Sequence, residues 1–146
     1  FPTEQENEIG EYLRKEGAEF GATTGRPRRC GWIDLVQLRY TIMLNGVTEL
    51  VITKIDVLNQ LAELQAAATY EIDGQPSKQL PYDLVNNTYN CVYTSHPGWL
   101  QDLSGMAEFE HLPKNAKDYI AYLETDLNVP ISMVSTGPDR TELITR

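Results

Sequence analysis

The chain has 146 residues, 41% hydrophobic and 23% charged, enough apolar mass for a core and the size of one ordinary domain or a piece of a larger one. Its formal charge of −9 and isoelectric point of about 4.6 argue against a general nucleic-acid binder, which needs a broad basic surface to displace counterions, and against an electrostatic membrane binder. No apolar run approaches the roughly 18 residues of a membrane span.

The N-terminus, Phe1-Pro2-Thr3-Glu4-Gln5-Glu6-Asn7-Glu8, is polar and has no signal-peptide core. It starts on Phe rather than Met, so the expectation is an excised or processed segment. Cys30 and Cys91 stand far apart with no paired spacing, which predicts free thiols in a reducing compartment. Residues 4–16 carry Ile9, Tyr12 and Leu13 at helical spacing, and Gly17 would end that helix. Residues 21–31 hold three glycines, two threonines, a proline and three arginines, the composition of a loop. The period of Ile33, Val36, Tyr40, Met43 and Leu44 predicts a helix over 32–45 with that stripe buried, closed by Asn45-Gly46.

Glu49-Leu50-Val51-Ile52-Thr53 predicts a short strand covered on both faces, as in parallel sheets. A second strand is expected over 65–72, with a turn at Asp73-Gly74. Residues 75–99 read as an irregular excursion with short strands. From Pro113 a helix is predicted with Ala116, Tyr119, Ile120, Leu123 and Leu127 on one face, broken by Val129-Pro130. A buried strand over Ile131 to Ser135 follows, running into Thr136-Gly137-Pro138. Alternating strands and helices predict an α/β fold. If the strands ending at Ile52 and Val134 are parallel neighbours, the turns after them open on one sheet edge, where ligands gather in such folds.

Three constellations could carry chemistry. Gly21-Ala22-Thr23-Thr24-Gly25-Arg26-Pro27-Arg28-Arg29 combines close-approach glycines, donor hydroxyls and arginine forks, which suits a dianionic or phosphorylated small molecule; a solvated basic loop capping the next helix is an equal reading. In Thr53-Lys54-Ile55-Asp56, an Asp at a strand end can accept from N1–H and the exocyclic amine of guanine, while the lysine stem lies along the base; a surface Lys and a capping Asp is the blander alternative. Ser135-Thr136-Gly137-Pro138-Asp139-Arg140 could line the other side of a base, or could simply be a turn. His96 and His111 are isolated, without a second ligand at metal spacing. No Gly-x-x-x-x-Gly-Lys phosphate loop and no paired His and carboxylate occurs.

Taken together, these pieces resemble the adenylosuccinate synthetase family. Phe1-Pro2-Thr3-Glu4 is similar to the segment leading into that family's C-terminal region. Glu19 to Leu35 (EFGATTGRPRRCGWIDL) is similar to its aspartate-loop signature, and Leu50 to Leu58 (LVITKIDVL) to its guanine-recognition strand. Pro97-Gly98-Trp99 and Leu112-Pro113-Lys114-Asn115-Ala116 resemble later landmarks, and Ser135 to Glu142 (STGPDRTE) resembles the closing signature. They occur in the family's order and span nearly all of residues 1–146, which would then be its C-terminal domain.

The resemblance implies a mostly parallel-sheet, P-loop-NTPase-like synthetase fold. It also implies part of a ligase that joins IMP and L-aspartate into adenylosuccinate, the first committed step from IMP to AMP. GTP hydrolysis drives the reaction with Mg²⁺: the O6 of IMP is phosphorylated and the aspartate amine displaces the phosphate. Carried over by residue, Ala22-Thr23-Thr24-Gly25-Arg26-Pro27-Arg28 match the substrate loop. Thr23, Thr24 and Arg28 would hold the aspartate carboxylates, Arg28 also lying near the transferring phosphate of GTP, and Arg26 would contact aspartate and the IMP ribose. Lys54, Ile55 and Asp56, with Ser135, Thr136, Gly137 and Pro138 on the far side, would hold guanine.

The family's phosphate loop, catalytic Asp and His, Mg²⁺ ligands and dimer-contributed arginine have no counterpart here. The expectation is a segment inactive alone, taken from a cytoplasmic homodimer with no nucleic-acid or membrane partner. The alternative is a stand-alone guanine-nucleotide-binding or scaffolding module. A regulatory GTPase, which Thr53-Lys54-Ile55-Asp56 also suggests, would need a phosphate loop before that motif. The substrate loop is expected to be mobile, because three neighbouring arginines repel until an anion arrives.

Overall fold

Asn7 decides where the first helix starts. In the computed structural model, which describes residues 1–146, its side-chain oxygen accepts from the amides of Ile9 (3.0 Å) and Gly10 (3.2 Å). Helix α1 therefore runs Glu8–Glu16, with Glu8 and Glu11 in its first turn and Arg14 and Lys15 in its last, both matched to the helix dipole. Gly17 closes it, and Ala18 takes the left-handed turn with φ 49°. The chain divides into two compact units, residues 1–41 with 65–95 and residues 42–64 with 96–146.

In the first unit, the segment predicted as one helix over 32–45 begins instead as a strand. Strand β1 (Ile33–Asp34) lies parallel to β3 (Glu63–Ile72), with Ile33 opposite Ala66 and Asp34 opposite Ala67. Helix α2 (Leu35–Asn45) follows at once, because Asp34 accepts from the amide of Gln37 at 3.0 Å. The other Asp34 oxygen accepts from the Gln37 amide side chain (3.1 Å) and from the Tyr70 hydroxyl. Tyr70 is fully buried, and burial, reinforced by Asp34, pushes its hydroxyl far above the usual phenol range.

The expected stripe on α2 is corrected. Leu35 and Val36 are buried, whereas Met43 and Leu44 are 67% and 62% exposed and Tyr40 is exposed as well. Apolar residues wrap right round this helix, so their period selects no face. Asp73 and Gly74, both with positive φ (51° and 78°), turn β3 into antiparallel β4 (Gln75–Ser77). Within 75–99, read as an irregular excursion with short strands, β4 is short and residues 78–88 form no strand, but Tyr89–Pro97 form β5, a nine-residue strand that pairs with β3.

The second unit is built on a three-stranded sheet in the order β2-β6-β7. Strand β2 (Leu50–Ile52) is parallel to β6 (Ile131–Ser135), and β7 (Leu143–Thr145) is antiparallel to β6. Each sheet of the chain joins a parallel pair to an antiparallel neighbour, so the mostly parallel sheet expected from the sequence becomes a mixed α/β arrangement. Val51 is half exposed, which corrects the reading of β2 as covered on both faces. Helix α3 (Lys114–Leu127) buries the five residues its spacing predicts, and Asn128 ends it in the left-handed region.

The Glu124 carboxylate on α3 accepts from the Ile131 amide (2.7 Å) and from Arg146 (2.8 Å), tying the helix to the start of β6. Gly98 donates to the Ala62 carbonyl at 2.8 Å, and a Cβ on it would overlap the Leu61 carbonyl. Its own carbonyl accepts from Asn115 (2.7 Å), and Trp99 donates to Asn59 (2.9 Å). Two of the sequence landmarks are thus one packed joint.

Candidate functional site: a parallel strand-end edge and an arginine loop

In the second unit Ile52 stands opposite Val134 in the parallel β2–β6 pair. The segments 53–56 and 135–138 therefore leave the sheet at the same edge, as the sequence predicted for parallel neighbours. Lys54 adopts φ 58° and ψ 34°, a left-handed conformation that only glycine reaches without strain. That residue throws the chain into a short 3₁₀ turn, Ile55–Leu58, which drives the Ile55 side chain into the core. Asp56 is half buried beside it. Its Oδ1 is shielded from water and has no hydrogen-bond partner. A buried carboxylate oxygen left unpaired costs on the order of 1–3 kcal/mol, a cost that a ligand edge bearing N–H donors would remove.

Across the edge, the Ser135 hydroxyl donates to the Gly137 carbonyl at 2.7 Å. Thr136 is fully buried and donates its amide (2.8 Å) and its hydroxyl (3.2 Å) to the Glu142 carbonyl. Asp139 accepts from the amide and hydroxyl of Thr141 at 2.9 and 2.8 Å, which hold its carboxyl below the usual range. Glu142 returns the bond by accepting from the Asp139 amide at 2.9 Å. Aspartate followed three residues later by glutamate is a capping box, a signal legible in the sequence at Asp139 and Glu142.

The arginine loop lies in the first unit. Gly21 donates to the Arg26 carbonyl (2.9 Å), Gly25 to the Gly21 carbonyl (2.8 Å) and Arg28 to the Glu19 carbonyl (3.0 Å), while Phe20 and Pro27 form a bridge. These bonds close the base of the loop and leave Ala22, Thr23, Thr24, Gly25 and Arg26 exposed at its tip. Gly25, with φ 65°, supplies the reversal. Arg28 pairs with Glu19 at 3.0 Å, and Arg29 pairs with Glu4, whose carboxyl it holds below its ordinary value. Mutual repulsion of three bare arginines is therefore not the state of this loop. Glu4 and Glu19, which the sequence reading assigned no part, neutralise two of them.

The remaining candidates carry less chemistry. His96 on β5 packs against Tyr119 and Tyr122 of α3, with ring centroids 5.4 and 4.1 Å away, and burial lowers its pKa. His111 is exposed beside Glu108. No group of three His, Cys, Asp or Glu side chains is placed to hold a metal ion. No helix is long and apolar enough to cross a membrane.

The family model described as adenylosuccinate synthetase matches residues 1–144. Adenylosuccinate synthetases of Lodderomyces elongisporus and Yarrowia lipolytica are each 48% identical, over 99% and 100% of this chain and 34% of their own length. That of Salinibacter ruber is 48% identical over 99% of this chain and 33% of its own. The structure of fully ligated adenylosuccinate synthetase from Plasmodium falciparum superposes with a TM-score of 0.93 at 38% identity, over 100% of this chain and 36% of that one. The chain spans about a third of the length of the relatives it matches.

Proposed function

The chain belongs to the adenylosuccinate synthetase family, and from that premise we propose that it is the C-terminal part of a GTP-dependent ligase joining IMP to L-aspartate. The observation that carries this reading is the buried, unpaired Asp56 oxygen at the end of β2. Guanine presents two adjacent donors, N1–H and the 2-amino group, to such a carboxylate. Adenine has no equivalent pair, so Asp56 selects GTP over ATP. Lys54 lays its aliphatic stem along the base, and the turn Ser135-Thr136-Gly137 bounds the base from the neighbouring strand end.

The tip of the arginine loop takes the substrate. The hydroxyls of Thr23 and Thr24 donate to the aspartate carboxylates, and Arg26 and Arg28 clamp them through their forks. Arg28 must first leave Glu19. That pair is exposed, and exposed pairs are worth about 0–1 kcal/mol, so a dicarboxylate competes for the guanidinium without difficulty. Phosphorylation of the IMP O6 then makes it a leaving group, and the aspartate amine, held by its carboxylates, displaces phosphate to form the C–N bond. The Mg²⁺ that such phosphoryl transfer needs finds no ligand set among these residues. The complete enzyme would be a cytoplasmic homodimer.

The test uses the complete protein with Asp56→Asn, assayed for IMP- and aspartate-dependent adenylosuccinate formation with GTP and with XTP. The change turns an acceptor into a donor facing a base edge that in xanthine carries an oxygen. Use of GTP should fall by about 10²-fold or more, and XTP should support the reaction. If the unaltered protein forms no adenylosuccinate with GTP, a guanine-nucleotide-binding module without catalysis replaces the ligase.

A further inference from the structure

Gly137 is not a glycine for backbone reasons, since its φ lies outside the left-handed region. It is a glycine because space is lacking: a Cβ there would overlap the carboxylate of Glu142. A carboxylate is the end of a flexible side chain and could swing aside. Here it is held, because its Oε2 accepts from the Asp139 amide at 2.9 Å and completes the capping box with Asp139. The main chain of Glu142 meanwhile anchors the start of the same turn through the amide and hydroxyl of buried Thr136. One residue thus grips the turn at both ends, with its backbone on residue 136 and its side chain on residue 139, and packs against the residue between.

We infer that Glu142 is a positioning residue for guanine recognition: its carboxylate fills the space beside Gly137 and fixes the Ser135–Gly137 turn against which the base is held. This rests on the guanine reading of the β2–β6 edge. Glu142 need not touch the nucleotide. Because the Thr136 bonds go to its backbone carbonyl, they survive removal of its side chain, and the turn loses only its outer half. The consequence is confined to the binding of one substrate, which separates positioning from general support of the fold.

The experiment uses the complete protein with Glu142→Ala, Glu142→Gln, Gly137→Ala and the Glu142→Ala/Gly137→Ala pair, with Asp56→Asn as the control for the underlying reading. Steady-state constants are measured for GTP, IMP and aspartate, with a thermal midpoint for each variant. Loss of the Asp139 bond should raise the KM for GTP about tenfold. The kcat, the KM values for IMP and aspartate, and the thermal midpoint should stay close to the unaltered protein's. Glu142→Gln should recover the GTP value, since its amide oxygen accepts the same N–H and glutamine also serves in a capping box.

Gly137→Ala should act by expelling the Glu142 carboxylate. Its defect should then match that of Glu142→Ala, and the double variant should be no worse than either alone. If Glu142→Ala does not fold, Glu142→Asp, one methylene too short to reach the amide, carries the same expectations. A GTP KM unchanged by loss of the carboxylate, while Asp56→Asn abolishes use of GTP, overturns the role of Glu142 and leaves the guanine reading standing. Multiplicative defects in the double variant overturn the coupling to Gly137. If Asp56→Asn leaves use of GTP untouched, the guanine reading itself fails, and the role of Glu142 with it.

Discussion

At Lys54 the proposed guanine contact and a structural cost fall on one residue. A left-handed conformation costs a residue with a Cβ about 1–2 kcal/mol relative to the right-handed helix. Glycine would sit at φ 58° and ψ 34° without that penalty. Replacing Lys54 by glycine should leave the thermal midpoint of the complete protein unchanged or raised. Relief of backbone strain offsets the greater freedom that glycine gives the unfolded chain. The same variant should raise the KM for GTP several-fold, because the aliphatic stem along the base is gone. A midpoint lowered by several degrees would mean that the lysine supports the fold rather than the site. The identity of Lys54 and Asp56 was legible in the sequence as a short, weakly specific motif. The strained backbone and the orphaned Asp56 oxygen, which make that motif informative, were not, because both depend on how Ile55 is drawn into the core.

Helices α2 and α3 show when an element can be read from its period. In α3 the apolar side chains keep to one face, and the five that the spacing selects are those buried. In α2 they surround the axis, so the choice of face falls to what the helix packs on, and only Leu35 and Val36 at its start are buried. Urea unfolding of the 146-residue chain gives the check. Met43→Gln and Leu44→Gln should shift stability by no more than about 0.5 kcal/mol, whereas Leu35→Ala should cost about 2–5 kcal/mol. Equal losses from the two sets would restore the continuous stripe. Short strands escape for a simpler reason: β1 has two residues and β7 three, too few to display any period. Strand β5 is long enough, but its sequence, YNCVYTSHP, is mostly polar and none of its residues is fully buried, so composition alone read it as irregular. The arginine loop was recognisable by composition, yet its state is set by Glu4 and Glu19 from outside the tip, and partners chosen by tertiary folding leave no local trace.

Across the whole molecule, the titrating groups give stability a definite dependence on pH. Burial against Tyr119 and Tyr122 lowers the pKa of His96, so the folded chain keeps that imidazole neutral where the unfolded chain, with an ordinary value of about 6.5, takes up a proton. Between the two values the unfolded state binds more protons, so stability rises with pH there: this contribution is whole above about pH 6.5 and is lost as pH falls toward the folded value. Four carboxyls act later and with the same sign. Glu4, Asp83, Asp102 and Asp139 are held below their ordinary values by hydrogen bonds from Arg29, Asn86, the Ser104 amide and the Thr141 amide respectively. Their contribution is complete above the usual carboxylate pKa of about 4 and disappears as pH drops through the lowered values. Acidification should therefore erode stability in two separate descents, although the net charge of −9 at pH 7 is being neutralised over the same range. Urea midpoints measured from neutral pH downward check this with the unaltered chain and His96→Gln. The variant should lose the first descent and keep the second, whatever the change in its overall stability. Parallel curves across the imidazole range would mean that His96 takes up its proton as readily in the folded chain as in the unfolded one, and that its packing against the two tyrosines sets no proton threshold.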